Sequence, residues 1–261
     1  DVLGDAATPE ILNAWGKAYW FLANILITRE EEIYAEHASM PGAWKGWREF
    51  VVADRIRESD TVMSFILKPR DGNAIAAHKP GQYLTITLLP DDATAMKRNY
   101  TISNAPNGEH YRLSVKKEPE GRASRWLHEK AMPGTVIKAT VPAGEFYLNS
   151  DAGRPIVLLS GGVGLTPMIS MLETIVNDKL GNPVHFVHGT LDGSTHAMKD
   201  HVSTLVRKHE NLDAKIFYSA PRAEDRQGTD FDAEGLVSGE WLHQNTPIKD
   251  ADYYLCGPTP F

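Results

Sequence analysis

Three rhythms of apolar and polar positions follow one another along the chain. The first opens at "TPEI", where Thr8 suits a helix cap and Pro9 the first helical position. Behind it Ile11, Trp15, Ala18, Leu22 and Ile25 recur at spacings of four and three, and Leu12, Tyr19, Leu26 and Ile33 form a second stripe alongside. Together they predict a helix with a wide apolar face, of the kind carried at the edge of a larger core. "TREEEIYAEH" closes this segment, and "SMPGAWKGW" punctuates it with proline and two glycines. From Arg48 the period becomes strand-like: "FVVADRI", "TVMSFIL", "GQYLTITL", "RNYTIS", "YRLSVKK" and "TVIKATV", with one helical insert, "SRWLHEKA". Six short strands predict a small, closed antiparallel β-barrel. From residue 151 strands and helices alternate, as in "PIVLLS", "TPMISMLETIV", "VHFVHGT", "HAMKDHVSTLVRKH", "AKIFYSA" and "YYLCGP". That alternation predicts a doubly wound, parallel α/β sheet. The fold class is therefore multidomain: a leading helix, then an α+β part built on the barrel, then an α/β part.

A length of 261 residues is enough for two domains, each with its own core. The net charge of -7 argues against a nucleic-acid partner, which is normally gripped by clustered Lys and Arg. No apolar run reaches the length of a bilayer span, since Asn24 interrupts the longest one. The acidic opening "DVLGDAATPE" lacks the basic start of a secretory signal. Cys256 is the single cysteine, so there is no intrachain disulfide and no CxxC metal site. A cytoplasmic setting, with no metal held by this chain, is the expectation.

"SGGVGLTP", residues 160–167, carries the sharpest chemistry. It follows a strand and opens a helix, the place where a parallel sheet binds phosphates. Gly161, Gly162 and Gly164 leave the backbone bare for a pyrophosphate, while Thr166 is placed to cap the helix and Pro167 suits its first turn. The plainer alternative is a tight turn with no ligand. The next strand ends in "HGT", with no carboxylate for an adenosine ribose, and the spacing GGVGxTP is not GxGxxG. In "RNYTIS", Arg98 can pair with a phosphate, Tyr100 can stack on a planar ring and the Thr101 hydroxyl can bond a ring nitrogen. Taken alone, this is an ordinary barrel strand. "GRASRWLH" repeats the phosphate logic with Gly121 and Ser124 at a short helix start, and a plain capped helix is its alternative.

The order of these motifs resembles the ferredoxin–NADP reductase superfamily over residues 48–261. The resemblance implies FAD or FMN in the barrel and NAD(P)H in the α/β part. It implies that Arg98, Asn99, Tyr100 and Thr101, with Gln82 and Tyr83 of "KPGQY", neighbour the flavin, and that Gly121 and Ser124 face the FAD pyrophosphate. Gly162, Val163, Gly164, Leu165, Thr166 and Pro167 would hold the nicotinamide nucleotide, bordered by Cys256, Gly257 and Pro258. For Cys256 a buried structural role stands beside that one.

The leading helix, followed by "PGAWKGW" and "REF", resembles the last globin helix and hinge of the flavohaemoglobins, in which a haem-binding globin precedes the reductase. The division this implies is a globin helix at 1–37, a linker at 38–47, an FAD-binding barrel at 48–150 and an NAD(P)H-binding domain at 151–261. The chain is then expected to be a fragment, lacking the upstream globin helices and the C-terminal aromatic segment beyond "CGPTPF". Haem b is expected only with the upstream region, where Glu30 would join a carboxylate network on its proximal side. The implied activity passes electrons from NAD(P)H through FAD to haem iron, which with O2 oxidises nitric oxide to nitrate. Two rivals are a reductase serving a separate ferredoxin or oxygenase, and a non-catalytic nucleotide-sensing module. A single cysteine weighs against the first, and intact flavin and nicotinamide motifs weigh against the second. Ser219, Arg222 and Arg226 lie where a ribose 2′-phosphate would be read, with a solvated loop as the alternative, so NADH and NADPH both stay open.

Overall fold

The computed structural model of the chain describes residues 4, 7–88, 95–149, 151, 153–247 and 249–259, without the side chains of 33, 34 and 36–38. The expected place of Ile33 in the second stripe lies outside the described side chains. Helix α1 (Pro9–Ser39) starts where the sequence predicts, and Thr8 Oγ1 accepts a bond from the Ile11 N–H at 3.4 Å. Among the described residues its apolar face joins no core cluster. Trp15, Tyr19, Phe21 and Leu26 are 61–71% exposed, as a face built for burial elsewhere would be.

Immediately after α1 the chain is firmly anchored. The Trp44 indole N–H donates to the Ala139 carbonyl at 3.1 Å, and the Arg48 guanidinium lies 5.3 Å from the Trp44 ring. Arg48 forks onto both oxygens of Asp71, at 2.6 and 3.1 Å, and holds that carboxyl below the usual carboxylate range. Gly42 has φ +75°, and a Cβ there would strike the Ile75 backbone.

Six strands form the antiparallel sheet: β1 (Arg48–Arg57), β2 (Val62–Pro69), β3 (Tyr83–Leu88), β4 (Met96–Thr101), β5 (Tyr111–Lys116) and β6 (Val136–Ala139). Their order is β4-β3-β6-β1-β2-β5. The predicted closure is incomplete. The edge strands β4 and β5 converge, but in place of a continuous ladder they are joined beyond the end of β4, by an isolated bridge between Ile102 and Leu113, by the Ser103 N–H donating to the Arg112 carbonyl at 2.8 Å and by bonds among the Ser103, Arg112 and Ser114 side chains. β1 pairs with β6 through its first four residues and with β2 along most of its length, with a bulge between Val52 and Asp54 that shifts the register against β2. Phe50, Phe65, Leu84, Ile86, Tyr111 and Leu113 fill the interior, and Leu127 of α2 (Arg122–Lys130) plugs one end.

The second sheet is parallel throughout, in the order β10-β9-β8-β7-β11. Its strands are β7 (Ile156–Gly161), β8 (Val184–Thr190), β9 (Leu212–Tyr218), β10 (Ala233–Glu234) and β11 (Asp252–Cys256). β7 is buried at every position, which explains its unbroken apolar run. Helices α3 (Leu165–Asn177) and α4 (Lys199–Lys208) cover one face, packing on Leu158 and Phe186; α5 (Gly239–Asn245) covers the other over Leu159 and Phe217. α3 is apolar nearly all round because it also backs onto the antiparallel sheet: Ser170 Oγ donates to the Asn104 carbonyl at 2.8 Å. The chain leaves β7 towards β8 on one side and returns as β11 on the other. The strand order therefore reverses beside β7, at whose carboxyl end the glycine turn stands.

Three histidines are buried inside this fold. Burial lowers His78 and His188 to about 4 and His196 to about 3, so all three are neutral at pH 7. His188 accepts or donates at Nδ1 to Ser160 Oγ at 2.9 Å, and His196 Nδ1 meets the Tyr218 hydroxyl at 2.9 Å. The unfolded chain binds protons on these groups near pH 6.5, whereas the folded chain does so only well below. Their contribution is thus complete above about pH 6.5 and is lost as pH falls towards 4, each at up to about 1.4 kcal/mol per pH unit. Urea midpoints are expected to hold steady from pH 8 to 7 and to drop clearly between pH 6.5 and 5. A flat profile down to pH 5 would contradict the buried, neutral state of these rings.

Candidate functional site

Two cavities open between the sheets and meet at the glycine turn. The larger, about 740 Å³, is lined by Arg98, Asn99, Tyr100 and Thr101 of β4, by the end of β5, by the start of α2, and by Gly162, Val163, Gly164, Thr166, Cys256, Gly257 and Pro258. The second, about 390 Å³, runs over the carboxyl ends of β8 and β9 past Thr190, Leu191, Ser219, Leu236 and Val237. Lys116, Gly161, Gly162, Val163 and Pro258 line both, so occupants of the two would touch there. A volume of this size is that of a cofactor site.

The glycines of the turn differ in what they do. β7 ends in a single 3-10 turn (Gly162–Gly164) that leads straight into α3. Gly162 has φ +52°, a left-handed backbone, and a Cβ on it would point into open space, the shared part of the cavities. Gly164 lacks a side chain for another reason: a Cβ there would collide with the Cys256 carbonyl and the Gly257 nitrogen. Its bareness lets the turn seat against the end of β11. Thr166 does not cap the helix as expected. α3 begins two residues earlier than a Thr166 cap requires, with Gly164 at the cap position, and the Thr166 hydroxyl donates back to the Val163 carbonyl at 3.1 Å. Leu165 and Pro167 are buried in the core; Pro167 sits in the first turn, where no N–H is needed.

At α2 the Ser124 hydroxyl donates to the Gly121 carbonyl at 3.2 Å and accepts from the Glu118 N–H at 3.1 Å. It is a brace for the turn, and what the helix start offers a phosphate is backbone N–H. Cations from Arg98, Lys116 and Arg122 line the cavity together with carboxylates from Glu118 and Glu120. Tyr100 is half-buried, and burial raises its phenol pKa. Burial likewise pushes the Cys256 thiol up, which keeps it protonated and unreactive. The residues suit a bound dinucleotide: a long cavity, a cationic strand, two helix starts and a bare backbone at Gly162.

Some expected residues lie elsewhere. Gln82 Oε1 accepts from the Lys79 N–H at 2.9 Å and its Nε2 donates to the Gly144 carbonyl at 3.1 Å, while the Tyr83 ring packs on Gly144. Neither lines a cavity; they fasten the "KPGQY" turn to the loop after β6. Glu30 is on the exposed face of α1, away from both cavities. Ser219 lines the second cavity, but Arg222 is held by Glu224 at 3.1 Å, Asp225 at 3.9 Å and Asp192 at 4.0 Å, and Arg226 by Asp230 at 3.5 Å. Thr61, Leu191 and Leu236 were not foreseen. Of these only Leu236 leaves a sequence signal, in "GLVSG", a glycine-flanked apolar pair beyond β9. Among the described residues no group of three or more His, Cys, Asp or Glu could hold a metal, and no helix is long and apolar enough to cross a membrane.

The chain matches the family of oxidoreductase FAD-binding domains over residues 49–147 and that of oxidoreductase NAD-binding domains over residues 158–261. It is 49% identical over 261 residues to the flavohemoprotein of Xylella fastidiosa, covering all of this chain and 64% of that protein. The chain thus spans less than two thirds of that relative's length. The flavohem-like FAD/NAD-binding domain of nitric oxide dioxygenase from Vibrio cholerae superposes with a TM-score of 0.74 at 33% identity, over 82% of this chain and 88% of that one. The Malassezia yamatoensis flavohemoglobin, solved with FAD and heme, has the same fold: TM-score 0.85, 23% identity, 99% of this chain and 64% of that one.

The two glycines make separable predictions. Gly162→Val places a side chain in the shared space and should weaken binding of a nicotinamide nucleotide roughly tenfold or more, a loss of about 1.4 kcal/mol. Both variants should lose some stability, Gly162→Val through its left-handed backbone, but Gly164→Val should lower the melting temperature further, because it drives the turn off β11. If the two variants show the reverse pattern, the roles given to these glycines are exchanged.

Proposed function

Since the chain belongs to the flavohaemoprotein family, we propose that it is the reductase portion of a nitric oxide dioxygenase. NAD(P)H is its electron donor, FAD its cofactor, and haem iron of the upstream globin its acceptor. With O2 that iron oxidises nitric oxide to nitrate, in the cytoplasm. The observation that carries this reading is the meeting of the two cavities at Gly162 and Pro258, which brings a flavin in one against a nicotinamide in the other. Bound in the larger cavity, FAD supplies an acceptor that takes a hydride and gives up electrons singly. On this reading residues 48–150 bind FAD and 151–261 bind the nicotinamide nucleotide.

Each residue's part follows from its place. Arg98 and the α2 N–H groups hold the pyrophosphate of FAD, and Tyr100 and Thr101 flank its ring system. Gly162 and Val163 admit the nicotinamide nucleotide, and Cys256, Gly257 and Pro258 wall the place where the rings meet. NADH is the donor of choice, because Arg222 and Arg226 are already engaged by carboxylates that would repel a 2′-phosphate. The exposed face of α1 packs against the upstream globin in the full-length protein, which brings Glu30 to the proximal side of the haem.

Anaerobic mixing of the FAD-loaded protein with NADH is expected to bleach the flavin band, and NADPH should do so with a much higher KM. No bleaching with either nucleotide would end the reductase reading. Arg98→Ala should loosen FAD by roughly tenfold to a hundredfold, since a charge-assisted bond of about 1.5–3 kcal/mol is removed. Unchanged FAD retention would move the pyrophosphate elsewhere.

Deleting residues 1–37 removes none of the described side chains of either core. It should leave bleaching by NADH intact and reduce self-association in light scattering. Restoring the upstream globin should add a haem band and nitric oxide consumption. Loss of flavin reduction on deletion would assign the helix to the reductase instead.

A further inference from the structure

A carboxylate and a guanidinium clamp the two sheets together beside the cavities. Glu173 lies on α3, two turns beyond the glycine turn, and is the one charged residue in the run "TPMISMLETIV". Its Oε1 pairs with Arg112 of β5 at 2.7 Å, and both side chains are about 85% buried, at 14% and 15% exposure. Its Oε2 accepts the Ala105 N–H at 2.9 Å, and His201 Nε2 of α4 stands 2.9 Å from Oε1. Burial alone would raise its pKa, yet His201, Arg112 and the Ala105 N–H together hold it below the ordinary carboxylate range.

Arg112 faces the other way as well. Its guanidinium donates to the Ser103 carbonyl and, through Nε, to Ser103 Oγ at 3.2 Å. Ser103 lies two residues past Thr101, at the end of the strand that lines the larger cavity. From Ser103 a line of buried hydroxyls continues to Ser114 at 2.7 Å, to Ser64 at 2.7 Å and to Glu58 at 2.5 Å. Ser114 itself lines the cavity. The flavin strand and the nicotinamide helix are thereby joined through two side chains.

We propose that Glu173 and Arg112 are positioning residues for hydride transfer, setting the distance between the FAD cavity and the nicotinamide turn; this rests on the reductase reading above. The apolar contacts between the sheets are non-directional and allow sliding, whereas a buried ion pair with a shared backbone N–H fixes one register. A misplacement of about 1 Å between reacting groups can cost on the order of a hundredfold in rate.

The test is the double variant Arg112→Met/Glu173→Met in the FAD-loaded protein. Replacing a buried ion pair by apolar side chains of similar size commonly leaves stability intact, but it removes the directional clamp. The expected result is parental FAD content and melting temperature, a KM for NADH near the parent's, and flavin bleaching at saturating NADH slowed by about tenfold or more. The Ala105 amide should also exchange faster, with or without FAD. If the double variant does not hold FAD, Glu173→Gln, which keeps an acceptor for Ala105 but removes the charge that Arg112 meets, carries the rate, KM and FAD measurements, and parental bleaching in it overturns the clamp. Parental bleaching in a variant whose Ala105 amide has opened overturns the clamp, and so does a change in KM alone. A parent that NADH does not bleach overturns the reductase reading instead.

Discussion

The contact of Gly164 with the Cys256 carbonyl is the constraint on which the site depends. β7 and β11 are parallel neighbours, paired from Ile156 with Asp252 to Ser160 with Cys256. Beyond that last pair the two chains part, one entering α3 and the other running on as Gly257 and Pro258. They separate around a bare backbone at 164, and any side chain there would wedge β11 outward. The wall formed by residues 256–258, the start of α3 and the floor of both cavities are fixed by this single approach.

The antiparallel sheet takes its position from the same helix. α3 presents apolar side chains to the parallel sheet and Ser170 and Glu173 to the segment after β4. A helix buried on nearly all sides is expensive to place a charge on, so Glu173 is met by the Arg112 guanidinium and the Ala105 N–H, with the His201 ring 2.9 Å away. The polar line from Arg112 to Glu58 likewise runs through an otherwise apolar interior with each hydroxyl satisfied.

Much of this was legible in the sequence because the periods are strong. The strand runs, the helices α1 to α4 and the glycine turn fall within a few residues of where apolar alternation and helix signals put them. What escaped has local or tertiary causes. β10 is two residues long and α5 seven, too short for any period to register, although Ser238 caps α5 through the Trp241 N–H at 3.1 Å. Barrel closure depends on how β4 and β5 meet, and no strand pattern encodes that. Gln82, Tyr83 and Ser124 sit in glycine-rich motifs beside the cavity, but their polar atoms or rings are claimed by neighbouring loops. Glu173 left a trace that needs a partner to be read: a lone carboxylate in an apolar helix signals a buried counter-charge without saying which strand supplies it.

The anchored turn at Trp44 and the exposed helix before it also have a mechanical meaning. At about 1.5 Å per residue the 31 residues of α1 make a rod roughly 46 Å long. Its base is fixed within a few residues by Gly42, Trp44 and Arg48, and most of the described side chains along its length are exposed. A rotation of about 10° at residues 39–43 would sweep the far end of such a rod through roughly 8 Å. Whatever rides on that end is aimed from its root, so the torsions around Gly42 govern reach far more than any contact along the shaft.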